Sequence, residues 1–257
     1  MTWRAEFKQE ITPQLRLFCL PHAGGGAGRY RSWRAKTRSP IEITPIRLPG
    51  REGRYNEPAL TDLSLLAKRT ATEIYPLLDR PFALVGISFG ALLAFEIAGF
   101  LQAQGVVPIA LFLASHRPPR CSQHVEKLHS LDDNTLIRRL ADLGGIDQVL
   151  MSDPELLTFL LATIRADLEA SESHIAPQRD LLRCPLFIYV GEHDFLVNVN
   201  DMEAWKLESQ ATTCIRLLEG DHFLFTGDCD CWLPALTDDL ESLVFDRPDG
   251  KVVSACG

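Results

Sequence analysis

No apolar run in the 257 residues approaches the roughly 18 that cross a bilayer, and Met1 to Glu10 is charged, without a secretory signal's apolar core or cleavage site. A cytoplasmic protein with no membrane partner is expected. Nor does charge of one sign dominate any stretch. The net charge of −8 comes from mixed residues along the whole length, which argues against a nucleic-acid surface. The seven cysteines are odd in number and irregularly spaced, so no disulfide framework is expected, and several follow apolar runs as small core residues do. Asp228-Cys-Asp-Cys231 has no second Cys/His pair at finger spacing, so no metal is expected. There is no internal repeat and no low-complexity segment. The glycine-rich stretch Gly24 to Arg29 lacks the last glycine of G-x-G-x-x-G, and no G-K-[ST] follows it. No cofactor is therefore expected.

What the chain does contain is an alternation of apolar runs with helical spacing. Leu15 to Leu20, Ile41 to Ile46 (which alternates), Phe82 to Val85, Ile109 to Ala114, Leu186 to Val190 and Thr213 to Leu218 read as strands. Tyr30 to Lys36, Asp62 to Leu78, Ala91 to Leu101, Asp201 to Leu207 and Trp232 to Leu243 read as helices, with a tail from Asp246. This rhythm predicts one α/β domain over residues 1–257, its central sheet mostly parallel and flanked by helices. Between Ser115 and Pro177 the alternation stops. Ser130-Leu-Asp-Asp133 reads as a capping box for a helix through Leu143, closed by Gly144-Gly145; Ser152-Asp-Pro-Glu155 starts a second helix running to about His174. The second helix carries Leu156, Leu160, Ile164 and Leu168 in one stripe, with Leu157, Phe159 and Leu161 beside it. Residues 115–178 are thus expected to form a helical insertion. It could cover an apolar cleft as a lid, or consist of plain core helices. Arg47, Arg51 and Arg54 fall in a loop that reads as a solvated turn.

Chemistry concentrates at Gly86-Ile-Ser-Phe-Gly90. In this G-x-S-x-G pattern two glycines allow a turn sharp enough for a serine hydroxyl to stand clear of the strand before it and the helix after it. Serine is a poor nucleophile at neutral pH. It needs a histidine to take its proton and a carboxylate to fix the imidazole tautomer. Asp194 follows the fifth predicted strand and His222 the sixth, which puts them at the same sheet edge as Ser88 in the order serine, acid, histidine. Glu192 is an alternative acid, whereas Asp221 lies too close in sequence to orient His222. His116, His124, His129 and His174 sit in the insertion and read as surface or lid residues; His193 precedes the candidate acid. The backbone N–H groups of Phe89, directly after the serine, and of Ala23, in the first glycine loop, are candidate oxyanion donors, with His22 shaping that loop.

Together these residues resemble a family, the stand-alone type II thioesterases of polyketide and nonribosomal peptide assembly lines, within the α/β-hydrolase superfamily. The likeness runs from Leu17-Phe-Cys-Leu-Pro-His-Ala-Gly-Gly25 through Arg47-Leu-Pro-Gly-Arg51, the serine turn, Leu143-Gly-Gly145 with Arg165-Ala-Asp167, and Gly220-Asp-His-Phe-Leu224. It implies removal of stalled or wrong acyl groups from the phosphopantetheine thiol of acyl or peptidyl carrier proteins, under a mobile helical lid; a monomer is expected. Ser88, Asp194 and His222 match that family's triad, and Ala23 and Phe89 its oxyanion donors. Three residues depart from its pattern: Ile87 stands where histidine is usual, Phe89 where methionine is common, and Phe195 where proline usually follows the acid. None removes a catalytic group. Phe195 leaves the acid loop less preset, and all three could reshape the acyl pocket. A carboxylesterase or acyltransferase on the same triad is the alternative enzyme reading, and a non-catalytic protein that docks on carriers is the reading from a different class.

Overall fold

Strands form where the apolar runs fall, and their order in space puts the serine turn at the centre. The computed structural model describes Trp3 and residues 13–37, 41–124, 126–144, 153–223 and 232–245. Met1 to Glu10 (apart from Trp3), Gly145, Ser152, Leu224, the Asp228 to Cys231 stretch and the tail from Asp246 lie outside them. In chain order the elements are β1 (Leu15–Leu20), α1 (Trp33–Lys36), β2 (Ile41–Pro45), α2 (Leu63–Ile74), β3 (Phe82–Ile87), α3 (Phe89–Ala103), β4 (Leu111–Ala114), α4 (Asp133–Asp142), α5 (Pro154–Glu172), β5 (Leu186–Gly191), α6 (Val199–Glu203), β6 (Thr213–Leu218) and α7 (Leu233–Phe245). The six strands form one sheet in the order β2-β1-β3-β4-β5-β6, and every pairing is parallel. The expected α/β-hydrolase architecture is therefore present.

Because side chains alternate across a strand, each strand feeds two cores. Phe18, Leu20, Leu84 and Ile188 pack with Leu66 of α2 and Phe95 of α3 on one face. Leu17, Val85, Phe112 and Tyr189 pack with Trp33 of α1 and Leu236 of α7 on the other. With both faces covered, β2 is buried throughout instead of alternating. Glu42, which the alternation would turn toward solvent, is buried against Arg16 on the paired strand, Arg16 Nε donating at 3.0 Å. The predicted helix over Tyr30 to Lys36 divides into a 3-10 turn, Ala27–Arg31, and the single turn of α1. The helix from Asp62 forms as its cap dictates: the Asp62 carboxylate accepts from Leu65 N–H at 3.0 Å, and Pro76 falls in the 3-10 turn that ends it.

Between β4 and β5 the described residues include α4 and α5, with corrections of detail. Asp132, not Ser130, caps α4, accepting from Thr135 N–H at 3.1 Å, and Asp153 caps α5, accepting from Leu156 N–H at 3.0 Å. In both cases the residue immediately before the helix is a carboxylate, the better acceptor for unpaired amides beside a positive dipole end. Leu128, Leu136, Leu140, Leu157, Leu161 and Ile164 form a third, smaller core. The predicted stripe is rotated: Leu156 and Phe159 are exposed. Cys19, Cys121 and Cys184 are free thiols.

Helix α3 is buried almost all round, and its one charge there, Glu96, needs compensation. Burial opposes its ionisation. The contact of His174 Nε2 at 3.0 Å and the two-pronged contact of Arg179, at 2.8 and 2.9 Å, outweigh that cost and hold the carboxyl below its ordinary value. His174, read as a surface or lid residue, has a buried side chain beside Glu96. Arg179→Ala, leaving Glu96 in place, is expected to destabilise the protein by about 3 kcal/mol in urea unfolding. A loss below about 0.5 kcal/mol would show the pair to be dispensable.

Candidate active site

Ser88 occupies the step from β3 into α3 at φ 51°, ψ −120°, a strained conformation for any residue but glycine. Both flanking glycines are needed. A Cβ on Gly86 would lie 2.0 Å from Gly90 O, and one on Gly90 would lie 2.4 Å from Leu20 O. The sharp turn is held open at its other side by Ser88 N–H, which donates to Ala114 O of β4 at 2.8 Å.

Asp194 and His222 come from the neighbouring strand ends. Gly191, the last residue of β5, pairs with Leu218 of β6, and a Cβ there would lie 2.5 Å from Asp221 O and Gly220 O, so the two loops can touch only at a glycine. His193 N–H then donates to Gly220 O at 2.9 Å. The Asp194 carboxylate, wholly buried, lies 2.9 Å (Oδ2) and 3.1 Å (Oδ1) from His222 Nδ1, and His222 Nε2 lies 3.2 Å from Ser88 Oγ. A carboxylate can only accept, so Nδ1 carries the proton and Nε2 is free to accept the serine's. Asp194 Oδ1 also accepts from the N–H groups of Leu196 (2.8 Å) and Val197 (2.9 Å). This turn presets the acid loop without a proline, and Phe195 points outward, 87 % exposed. Glu192 is exposed, and the Asp221 carboxylate is occupied with Phe223 N–H.

The loop after β1 carries Ala23, which lines one cavity with Ser88, Phe89 and His222. Phe89 opens α3, so its N–H has no acceptor within the helix. The loop is fixed by residues whose part the sequence did not disclose. Arg51, expected in a solvated turn, is buried; its Nη1 and Nη2 donate to Asp167 of α5 at 2.7 Å each, and Nη1 also donates to Gly25 O at 3.1 Å. Arg54 is buried too, donating to Glu57 at 2.8 Å and lying over the Trp3 ring. The available signal was that Arg51 and Asp167 both fall in the motifs that carry the resemblance. Arg165 of the same motif ties α5 to Leu131 O (2.7 Å) and to Asp133 (2.6 Å).

The cavity encloses about 120 Å³ and draws the rest of its wall from the inserted segment and the acid loop, including Leu128, Leu168, Glu172, Leu196 and Val197. His116 also lines it, hydrogen-bonded through Nδ1–H to Arg117 O (2.6 Å) and through Nε2 to Ser171 Oγ (3.2 Å). Burial drives the His116 pKa down to about 4, against the pull of that carbonyl, and burial together with Arg29 drives His22 down to about 3. Both are neutral near pH 7. Between about pH 6.5 and 4 the unfolded chain takes up protons that these folded histidines refuse, so stability rises with pH across that window and is lost toward acid. His116→Gln is expected to flatten the dependence, measured by urea unfolding at a series of pH values, by at most about one proton. An unchanged slope would mean that His116 titrates alike in both states. Among the described residues, no helix is long and apolar enough to cross a membrane, and no group of His, Cys, Asp and Glu is arranged to hold a metal ion.

The thioesterase domain family matches the chain over residues 15–240. The sequence is 34% identical over 222 residues to the gramicidin S biosynthesis protein GrsT of Aneurinibacillus migulanus, covering 86% of this chain and 87% of that one. In structure it is similar to the RedJ thioesterase of the prodiginine pathway in Streptomyces coelicolor, with a TM-score of 0.83 and 31% identity over 88% of this chain and 91% of that one. It is also similar to the type II thioesterase BorB of the borrelidin biosynthetic cluster, with a TM-score of 0.85 and 28% identity over 93% and 97% of the two chains.

Proposed function

The chain belongs to the thioesterase domain family, and from that premise we propose that this thioester hydrolase discharges acyl groups from the phosphopantetheine arm of acyl or peptidyl carrier proteins, editing polyketide and nonribosomal peptide assembly lines. The observation that carries the reading is the unbroken hydrogen-bonded run from Ser88 through His222 to Asp194, opening on one cavity. Ser88 Oγ attacks the thioester carbonyl as His222 Nε2 takes its proton, and the Asp194 carboxylate stabilises the imidazolium that results. The N–H groups of Phe89 and Ala23 hold the oxyanion of the tetrahedral intermediate. Collapse breaks the C–S bond and His222 returns the proton to sulfur, an easy departure for a thiol of pKa about 8.5. Water then attacks the acyl-serine, giving its proton to His222, and the second collapse frees the acid and restores Ser88.

In this reading residues 115–178 act as the lid, with Leu128, Leu168 and Glu172 as the roof. No cofactor takes part, because the reacting thioester arrives on its carrier.

The test is intact-mass analysis of carrier proteins loaded with a panel of acyl groups, incubated with wild type and Ser88→Ala. Wild type is expected to shed acyl groups and the variant to leave them in place. If wild type discharges none faster than the variant, the reading fails. Faster cleavage of oxygen esters, or transfer to alcohols or amines, would point to an esterase or acyltransferase, and failure of a fluorophosphonate to label Ser88 to a carrier-binding protein without catalysis.

A further inference from the structure

Three consecutive glycines, Gly24 to Gly26, follow Ala23 and offer no side chain by which their loop could hold its own shape. Gly25 N–H turns back to His22 O at 2.9 Å, and α5 with Arg51 holds the rest. Asp167 Oδ2 accepts from Gly24 N–H at 2.8 Å, Arg51 closes on the same carboxylate, and Arg51 Nη1 reaches Gly25 O. One turn earlier, Ile164 fits against Gly24, where a Cβ would lie 2.3 Å from Ile164 Cγ1, and Thr163 Oγ1 donates to Gly50 O at 2.9 Å. Thr163, Ile164 and Asp167 therefore face the Ala23 loop and the Arg51 loop together. The ion pair is buried, with side-chain exposures of 6% and 1%.

Resting on the reading of Ala23 as an oxyanion donor, we propose that Asp167 and Arg51 are positioning residues that fix the direction of the Ala23 N–H, so that α5 and the oxyanion site form one unit. An apolar contact would join helix and loop at lower cost than a buried charge pair, which is often no more stable than its hydrophobic replacement. What the carboxylate adds is direction. It orients the peptide plane between Ala23 and Gly24, the plane next to the donor's own, and the planar fork of Arg51 holds the carboxylate in turn. A displacement of about 1 Å in a preorganised donor costs on the order of 100-fold in rate. Departure of α5 from its seat would unmake the oxyanion site, which couples the inserted helices to catalysis.

The test compares wild type with Asp167→Asn, and with Arg51→Lys as a second variant in case the first folds poorly, all normalised to folded protein by thermal unfolding. Two rates are read: kcat and KM for thioester hydrolysis, and the second-order rate at which a fluorophosphonate labels Ser88, whose phosphonyl oxygen needs the same donors. We expect kcat and the labelling rate to fall together by about 10- to 100-fold, with KM within about threefold. A merely structural role would lower the melting temperature and leave both rates per folded molecule unchanged. Rates within twofold of wild type in the folded variants, or a loss carried by KM alone, would overturn the proposal. If wild type hydrolyses no thioester and labelling still slows in Asp167→Asn, the thioesterase reading fails while this inference stands.

Discussion

Ser88→Ala and His222→Ala are each expected to lower kcat for thioester hydrolysis by about 10⁶-fold, and the double variant to be no slower than either alone. The reason is geometric. With His222 Nε2 3.2 Å from Ser88 Oγ, hydroxyl and imidazole act as one nucleophile, and removing either leaves the other nothing to do. Binding and the oxyanion donors persist, so a residual acceleration of about 10³- to 10⁴-fold over water should survive in all three. Neither position is expected to unfold the protein. Ser88 lies at the surface of the cavity, and alanine at φ 51° bears the same strain that serine bears already. Single-turnover discharge of an acylated carrier, with folding checked by urea unfolding, measures the effect. Multiplying losses in the double variant would show that the two residues act separately and would remove the proposed mechanism.

Asp194→Asn is expected to cost about 10⁴-fold in kcat while leaving the site's shape intact. Asp194 Oδ1 is committed to the N–H groups of Leu196 and Val197, which only an oxygen can accept from. The asparagine amide must therefore put its own oxygen there and its NH₂ where Oδ2 faced His222 Nδ1. Two donors cannot face each other, so His222 adopts the Nε2–H tautomer and has no lone pair for the Ser88 proton. The same backbone contacts that preset the acid loop thus force the inactive tautomer. Glu192→Gln, on the same loop but exposed, is the control and should change the rate less than twofold. Retention of more than about a tenth of wild-type kcat in Asp194→Asn, or a large loss in Glu192→Gln, would move the orienting role elsewhere.

How much of this was legible depended on how far apart the interacting residues lie in the chain. The strands and helices follow from apolar spacing, and the serine turn from Gly86 and Gly90, four positions apart, where the missing Cβ of one makes room for the carbonyl of the other. Asp194 and His222 could be read as partners because each ends a predicted strand, and strand ends on one edge of a parallel sheet are neighbours by topology. Charged residues were misread for the opposite reason. An arginine among proline and glycine looks the same solvated or buried, and Arg51 is buried because Asp167, 116 residues away, is carried to it on α5. Glu42 with Arg16 and Glu96 with His174 and Arg179, on which the sequence is silent, are likewise buried beside partners distant in the chain.

By itself, then, the sequence determined the sheet, the serine on its turn, and the carboxylate and imidazole beside it, because local backbone demands and strand periodicity are written residue by residue. Only the tertiary structure decided which charges go inside and what holds the loop after β1, because burying a charge is tolerable only where the fold delivers its counter-ion.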